Sequence, residues 1–158
     1  MFARSSIVIE PWRAATQSVN RDLVADHSAD DKILQAGRFV LGNTGGAPDT
    51  NLRPVPKARA NAKFEAATCI VHSVCGASCK NASAQLFDAA ELRHLHSLPQ
   101  HQQQRYTRER STVDEVNAEG LGICTQTLDC EDLCRMETSV EFLSKLNVDT
   151  NGAVPKEA

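Results

Sequence analysis

Apolar residues recur at helical spacing over much of the chain, and the clearest pattern lies near its centre. Five apolar residues there fall on one face of a predicted helix: Leu86, Ala89, Ala90, Leu92 and Leu95. Pro99 follows them, and a proline inside a helix removes a backbone donor, so we expect this helix to end before it. The pattern predicts an amphipathic central helix.

Three other segments carry shorter helical patterns. The first lies between residues 19 and 41, where Ser28 or Asp30 is a suitable N-cap. The second is a predicted short helix that closes at Gly120, and the third is a last helix that gives way to a frayed tail from Asp149. Their apolar positions are Val24, Ile33, Leu34, Phe39, Val113, Val116, Val140, Leu143 and Leu146.

Two segments interrupt the helical pattern. Residues 6 to 12 form a β-branched run that contains Pro11, which predicts a short strand. The stretch from Gly42 to Lys57 is rich in glycine and proline, which predicts an extended or turning connector. The sequence therefore predicts a mainly α chain with a short N-terminal strand that has no obvious partner.

Composition narrows the possible functions. The formal net charge is -3 and only 4% of the residues are aromatic. No basic footprint for nucleic acid or anionic lipid is present, so we expect no nucleic-acid partner. The chain has no run of 18 apolar residues that would cross a membrane, and its first residues do not resemble a secretory signal.

Six cysteines occur in two runs of identical spacing, C-x5-C-x3-C. The first cysteine run is Cys69, Cys75 and Cys79, and the second cysteine run is Cys124, Cys130 and Cys134. His72 lies midway between the first two, so the first run reads C-x2-H-x2-C-x3-C. Apart from that histidine, it matches the C-x2-C-x2-C-x3-C run of two-cluster iron–sulfur proteins, whose last cysteine ligates the other cluster.

Other chemistries compete for these cysteines. Six thiols could form disulfides, but no secretory context keeps them oxidised. Zinc accepts both cysteine and histidine, although its sites usually offer two C-x2-C pairs. The cysteines could also be small buried core residues. The repeated spacing favours an iron–sulfur protein over each of these.

Three histidines form a second candidate tract. They are His94, His96 and His101. Residues two positions apart on a helix point in different directions. We therefore expect solvent-exposed histidines here and no metal site.

Further motifs accompany the cysteine runs in a fixed order. They are IVIEPWR at 7–13, RDLV at 21–24, NTGGAPD at 43–49, CIVHSVCGASCKNAS at 69–83, LPQ at 98–100, RY at 105–106 and EGLGIC at 119–124. With the cysteine spacing, these segments resemble the iron–sulfur subunit of succinate dehydrogenase and fumarate reductase. The resemblance extends over residues 6 to 147.

The resemblance implies a fold and two sets of ligands. It implies an α-helical ferredoxin-like domain over residues 19–148, preceded by a remnant of a ferredoxin-type domain at 1–18 and followed by a flexible tail at 149–158. It implies a [4Fe-4S] cluster held by four residues that we call the first set: Cys69, His72, Cys75 and Cys134. It implies a [3Fe-4S] cluster held by three residues that we call the second set: Cys79, Cys124 and Cys130.

Two departures from the family change what is expected. Family members begin with a domain that carries a [2Fe-2S] cluster, but no cysteine precedes Cys69 here, so that cluster is not expected. The chain is then expected to be a fragment, a truncated product or half of a split subunit. His72 replaces a cysteine, and a neutral imidazole in place of a thiolate should raise the cluster potential or weaken its assembly.

The resemblance also implies a function. The chain would relay electrons between a flavoprotein subunit carrying FAD and quinone at a membrane anchor subunit, as part of an oxidoreductase of the tricarboxylic acid cycle. It would have no catalytic residues of its own, and it would lie at the cytoplasmic face of the membrane, attached through its partners. Two alternatives remain: a degenerate, cluster-free interaction protein on the same scaffold, and a zinc-binding module.

Overall fold

The computed structural model describes residues 6–11, 17–38, 56–98, 102–122 and 124–153. Within these ranges the chain forms two short strands and seven helices. The strands are β1 (Val19–Arg21) and β2 (Val24–Ala25), which pair antiparallel. The helices are α1 (Ser28–Arg38), α2 (Lys57–Ala66), α3 (Val74–Ser78), α4 (Gln85–His96), α5 (Gln102–Ala118), α6 (Asp129–Asp132) and α7 (Glu141–Ala153).

The prediction of a mainly α chain with a short N-terminal strand element is confirmed. Of the described residues, 58% are helical and 5% lie in strands. The position predicted for the strand is wrong, because residues 6–11 have no regular structure. Ile7 is 88% exposed, and no strand in the described ranges lies beside it. The β1–β2 hairpin takes its place, in a segment that was predicted to be helical.

Helix α1 begins at Ser28, so the two residues predicted as its N-cap, Ser28 and Asp30, both lie within its first turn. A carboxylate oxygen of Asp26 accepts a hydrogen bond from the Ser28 backbone N–H at 2.9 Å, which satisfies one of the free donors at the start of the helix. Val24 lies before this start, in β2. Phe39, Pro99 and positions 42–55 of the predicted connector lie outside the described residues.

Two helices run further than the sequence predicted. Helix α5, expected to be short, spans 17 residues, and it is followed by Gly120 at φ 74°. Helix α7 continues through the start of the predicted tail to Ala153. The Thr150 hydroxyl donates to Glu109 Oε1 at 2.8 Å, and this contact with α5 anchors the last turns of α7.

The core forms around α4, which packs against α1, α2, α3, α5 and α7. All five apolar residues predicted for its inner face are buried. Ile33 on α1 and Leu121 after α5 are each 1% exposed and extend the core on either side. Helix α1 approaches α5 closely at Gly37, where a Cβ atom would lie 2.8 Å from Thr112 Oγ1.

No helix in the described part of the chain is both long enough and apolar enough to cross a membrane.

Candidate functional site

The two cysteine runs share one backbone conformation. In each run a loop carries the first cysteine, a short helix carries the second, and the third follows that helix. The loops precede α3 and α6, which pack against each other. Positive φ angles occur at the same three offsets from the first cysteine of each run. The six residues are Val71, Ser73 and Ala82 in the first run and Gln126, Leu128 and Glu137 in the second.

Matching hydrogen bonds accompany these angles. The Ala82 N–H donates to the Cys79 carbonyl at 2.9 Å, and the Glu137 N–H donates to the Cys134 carbonyl at 3.0 Å. Left-handed angles are uncommon outside glycine and concentrate at ligand-holding sites. The repeated spacing in the sequence is therefore a repeated structure, in which equivalent positions carry the cysteines.

A buried polar network fixes the loop of the first run. Ser73, beside His72, donates to Asp30 Oδ2 at 2.6 Å, and the side-chain amide of Gln17 donates to the same oxygen at 2.8 Å. His27 Nδ1 lies 3.1 Å from that oxygen and 3.2 Å from Ser73 Oγ. These contacts join the left-handed residue Ser73 to the first turn of α1.

Serine, histidine and aspartate together suggest a nucleophilic triad, but this network is not one. In a catalytic triad the two ring nitrogens of histidine contact different partners, serine on one side and aspartate on the other. Here Nδ1 of His27 faces both Asp30 and Ser73, and the Ser73 hydroxyl donates directly to the carboxylate. Ser73 is also 7% exposed. The network positions the loop.

The first set lies around one pocket. Cys69, His72 and Cys75 of the first run and Cys134 of the second line it together. The remaining lining residues come from the same two segments and from the start of α4: Val71, Ser73, Leu86, Phe87 and Thr138. Packing between α3 and α6 thus brings a cysteine of the second run to the side chains of the first.

His72 offers an unused ligand atom at this pocket. Its Nε2 is buried and has no hydrogen-bond partner. A buried polar atom without a partner is costly, and such atoms in native proteins call for an explanation. A metal-bound cofactor in the pocket would give this nitrogen a partner.

The thiols of the first set differ in acidity. Burial, reinforced by the nearby Cys69 thiolate, raises the pKa of Cys75 to about 12. Burial also raises the pKa of Cys69, and the Cys134 charge adds to this effect. Burial raises the pKa of Cys134 too, but hydrogen bonds with Thr138 and with the backbone N–H groups of Met136 and Glu137 outweigh it and lower that pKa overall.

The thiols of the second set interact electrostatically. Burial raises the pKa of Cys130, and the charges of Cys124 and Cys79 raise it further. The Gln126 backbone N–H donates to Cys124 Sγ at 3.3 Å. Val71, the equivalent residue of the first run, hydrogen-bonds the Cys69 sulfur through its backbone. This bond opposes the rise in the pKa of Cys69. Backbone N–H bonds to sulfur are one means by which proteins tune iron–sulfur clusters.

All six cysteines, each within the described residues, are free thiols. The seven predicted ligand side chains all lie within the described residues. No three of these described side chains place their ligand atoms within 4.8 Å of one another. Ligands of a tetrahedral zinc ion with Zn–S bonds of about 2.3 Å lie closer together than that. The thiols are neither paired as disulfides nor gathered at the spacing of one metal ion.

The donor types fit an iron–sulfur cluster, but the pocket of the first set is narrow. Three thiols and an imidazole are suitable iron ligands. The pocket encloses about 10 Å³ of free space, which is about the volume that admits one water molecule. The loop at 69–73 and the turn at 134–138 would have to move apart to admit anything larger.

A second group of ligand-type side chains lies at the far end of α4. It comprises His96, Glu109 and Asp149, with ligand atoms within 4.8 Å of one another. The expectation that His96 is solvent-exposed is wrong. Helices α5 and α7 pack against α4, and His96 is only 9% exposed. His94 is half-buried, and His101 lies outside the described residues. Sequence reasoning missed this group because its acidic members lie on other helices.

Glu109 is expected to make stability depend on pH. It is 0% exposed, and burial raises its pKa from 4.5 to about 7. The folded chain keeps this proton up to about pH 7, whereas the unfolded chain loses it near pH 4.5, so the free energy of unfolding falls as pH rises between these values. Glu109→Gln should remove this loss and stabilise the protein by about 3 kcal/mol at pH 8.

Urea unfolding of both proteins at pH 5 and pH 8 measures the effect. Glu141→Gln, at an exposed position in the first turn of α7, is the control and should leave the pH dependence unchanged. A Glu109→Gln variant with the parent's pH dependence would contradict the prediction.

Comparisons with profiles of known protein families, with curated proteins and with solved structures found no match for this chain.

Proposed function

We propose that the chain is an electron-transfer module that holds a [4Fe-4S] cluster on the first set and a [3Fe-4S] cluster on the second. The observation that carries this proposal is the common pocket of Cys69, His72, Cys75 and Cys134. Their gathering agrees with the ligand set implied by the resemblance to the succinate dehydrogenase and fumarate reductase iron–sulfur subunit. The electrostatic interaction of Cys130 with Cys124 and Cys79 adds support.

In this proposal the chain's own residues have distinct tasks. When bound, the clusters would accept and release single electrons. The thiols of Cys69, Cys75 and Cys134 would bind iron as thiolates, and the unpartnered Nε2 of His72 would be the fourth ligand. The backbone N–H groups near Cys69, Cys124 and Cys134 would favour negative charge on sulfur and so adjust the reduction potential.

The proposed partners follow from the same resemblance. A flavoprotein subunit with FAD would exchange electrons with the chain on one side, and a membrane anchor subunit with quinone would do so on the other. The chain would then be peripheral, at the cytoplasmic face of the membrane, and held there by these partners. The oxidoreductase reaction would belong to the complex.

One observation favours a second candidate, a cluster-free interaction protein on the same helical scaffold. The pocket of the first set has free space for about one water molecule. A chain that has lost its clusters could keep the fold through the core around α4 and the buried Asp30 network. Iron content separates this candidate from the electron-transfer module.

His72→Cys tests the proposed ligand role of the histidine. A thiolate in place of a neutral imidazole makes the cluster more negative, so the midpoint potential of the [4Fe-4S] cluster should fall by on the order of 100 mV. Redox titration followed by electron paramagnetic resonance measures it. His94→Cys, half-buried on α4 and outside both ligand sets, is the control and should not shift the potential. An unchanged potential in His72→Cys would show that residue 72 does not bind iron.

A further inference from the structure

A polar cavity of about 390 Å³ lies among α2, α4, α5 and α7. It shares no lining residue with the pocket of the first set. The cysteine pocket contacts the start of α4 at Leu86, whereas this cavity contacts its end at His96, about 15 Å away along the helix. Its volume is within the range of small-molecule sites.

Three arginines from three helices line the cavity. Arg59 comes from α2, Arg93 from α4 and Arg105 from α5. The Nε atoms of Arg93 and Arg105 are buried and have no hydrogen-bond partner. A guanidinium is always charged and presents a planar set of N–H donors that matches an oxyanion. The three arginines therefore place positive charge and hydrogen-bond donors at the wall of a cavity that could hold their acceptor.

The carboxylates at the cavity are turned toward the histidine. Glu109 Oε2 lies 3.3 Å from His96 Nε2, and Asp149 Oδ2 lies 3.7 Å from His96 Nδ1. The other oxygen of Glu109 accepts from Thr150. Burial also keeps Glu109 protonated to about pH 7, so its charge opposes an incoming anion less than an ordinary carboxylate would.

We propose that this cavity binds a small molecule through an oxyanion group, either a phosphate or a carboxylate, held by Arg93 and Arg105. Arg59 and the Tyr106 side chain, which also line the cavity, are placed to contact the rest of the molecule. This site is separate from the proposed cluster sites and does not depend on them.

A cation is the competing occupant, because His96, Glu109 and Asp149 are metal-ligand types. Two features disfavour it. The cavity is lined by three positive charges, and the charges of Arg105 and Arg108 already contribute to lowering the pKa of His96, behind the larger effect of burial. The two carboxylates also face different nitrogens of one imidazole, whereas a metal ion would take a single nitrogen.

Isothermal titration calorimetry on the full chain tests the proposal, with inorganic phosphate and malonate as the two probes. Sodium chloride at matched ionic strength is the blank. We expect saturable binding of at least one probe, and the probe that binds more tightly identifies the oxyanion. Arg93→Gln and Arg105→Gln should each weaken binding about tenfold or more. Arg110→Gln, an exposed neighbour on α5, should change it less than about twofold.

Circular dichroism confirms that each variant is folded, and Arg105→Lys provides a milder variant that keeps the charge and loses the planar set of donors. Partial loss of affinity in Arg105→Lys would support the proposal. Absence of saturable binding of both probes would overturn it, as would equal affinity in the folded Arg93→Gln and Arg110→Gln variants. Binding of zinc or manganese chloride that requires Glu109, without anion binding, would show a cation site instead.

Discussion

Cys75→Ser is expected to remove about four irons per chain and to leave the three of the second set in place. Cys75 is 7% exposed and lies in the pocket that also holds Cys69, His72 and Cys134. A serine hydroxyl is a harder and far less acidic donor than a thiol, so it is a poor substitute for a soft thiolate ligand. Iron and acid-labile sulfide are measured after anaerobic reconstitution.

The second run supplies a matched variant. Cys130 occupies the position equivalent to Cys75, on α6 instead of α3. Cys130→Ser should remove about three irons and keep the four of the first set. Circular dichroism establishes that both variants are folded. Loss of the same iron species from both folded variants would contradict the assignment of the two cysteines to separate clusters.

Asp30→Ala is expected to lower the free energy of unfolding by about 3 kcal/mol. Asp30 is 2% exposed, and its Oδ2 accepts hydrogen bonds from Gln17 and Ser73 and faces His27. Alanine would leave the buried side chains of Gln17 and Ser73 without this acceptor. It would also free the loop that carries His72, so iron bound by the first set should fall as well.

Asp31→Ala separates this effect from the general contribution of an acid near a helix start. Asp31 is the next residue in the first turn of α1 and is exposed. Both carboxylates stabilise the helix through a similar electrostatic interaction with its N-terminus, typically worth less than about 1 kcal/mol. Urea unfolding of the two variants measures the difference. Equal stability of Asp30→Ala and Asp31→Ala would show that the buried network contributes nothing.

Local patterns predicted the helices well where burial follows a single periodic face. The apolar face of α4 and the approximate start of α1 were both predicted, because helical spacing and helix capping act over a few residues. The same reasoning placed a strand at residues 6–12, although a strand needs a partner and composition does not reveal one. It also ended the last helix at Asp149. The helix continues because Thr150 contacts Glu109, and local patterns do not reveal a contact between residues so distant in sequence.

The candidate site was less accessible to local reasoning. Spacing alone singled out the six cysteines and His72, but the grouping of Cys134 with the first run came from the family resemblance, and in the structure it follows from the packing of α3 on α6. The left-handed angles at Val71 and Leu128 carry no sequence signal, since neither residue type favours them. His96 was misjudged because the helices that bury it come later in the chain.

Anaerobic iron and sulfide analysis with low-temperature electron paramagnetic resonance tests whether the two cysteine runs hold iron. Two assembled clusters would give about seven irons per chain, an oxidised [3Fe-4S] signal and a further signal on reduction. Three irons with the oxidised signal alone would show that the first set, with His72 in place of cysteine, does not assemble its cluster. A folded chain that binds no iron after reconstitution would contradict the proposed electron-transfer function and favour the cluster-free interaction protein.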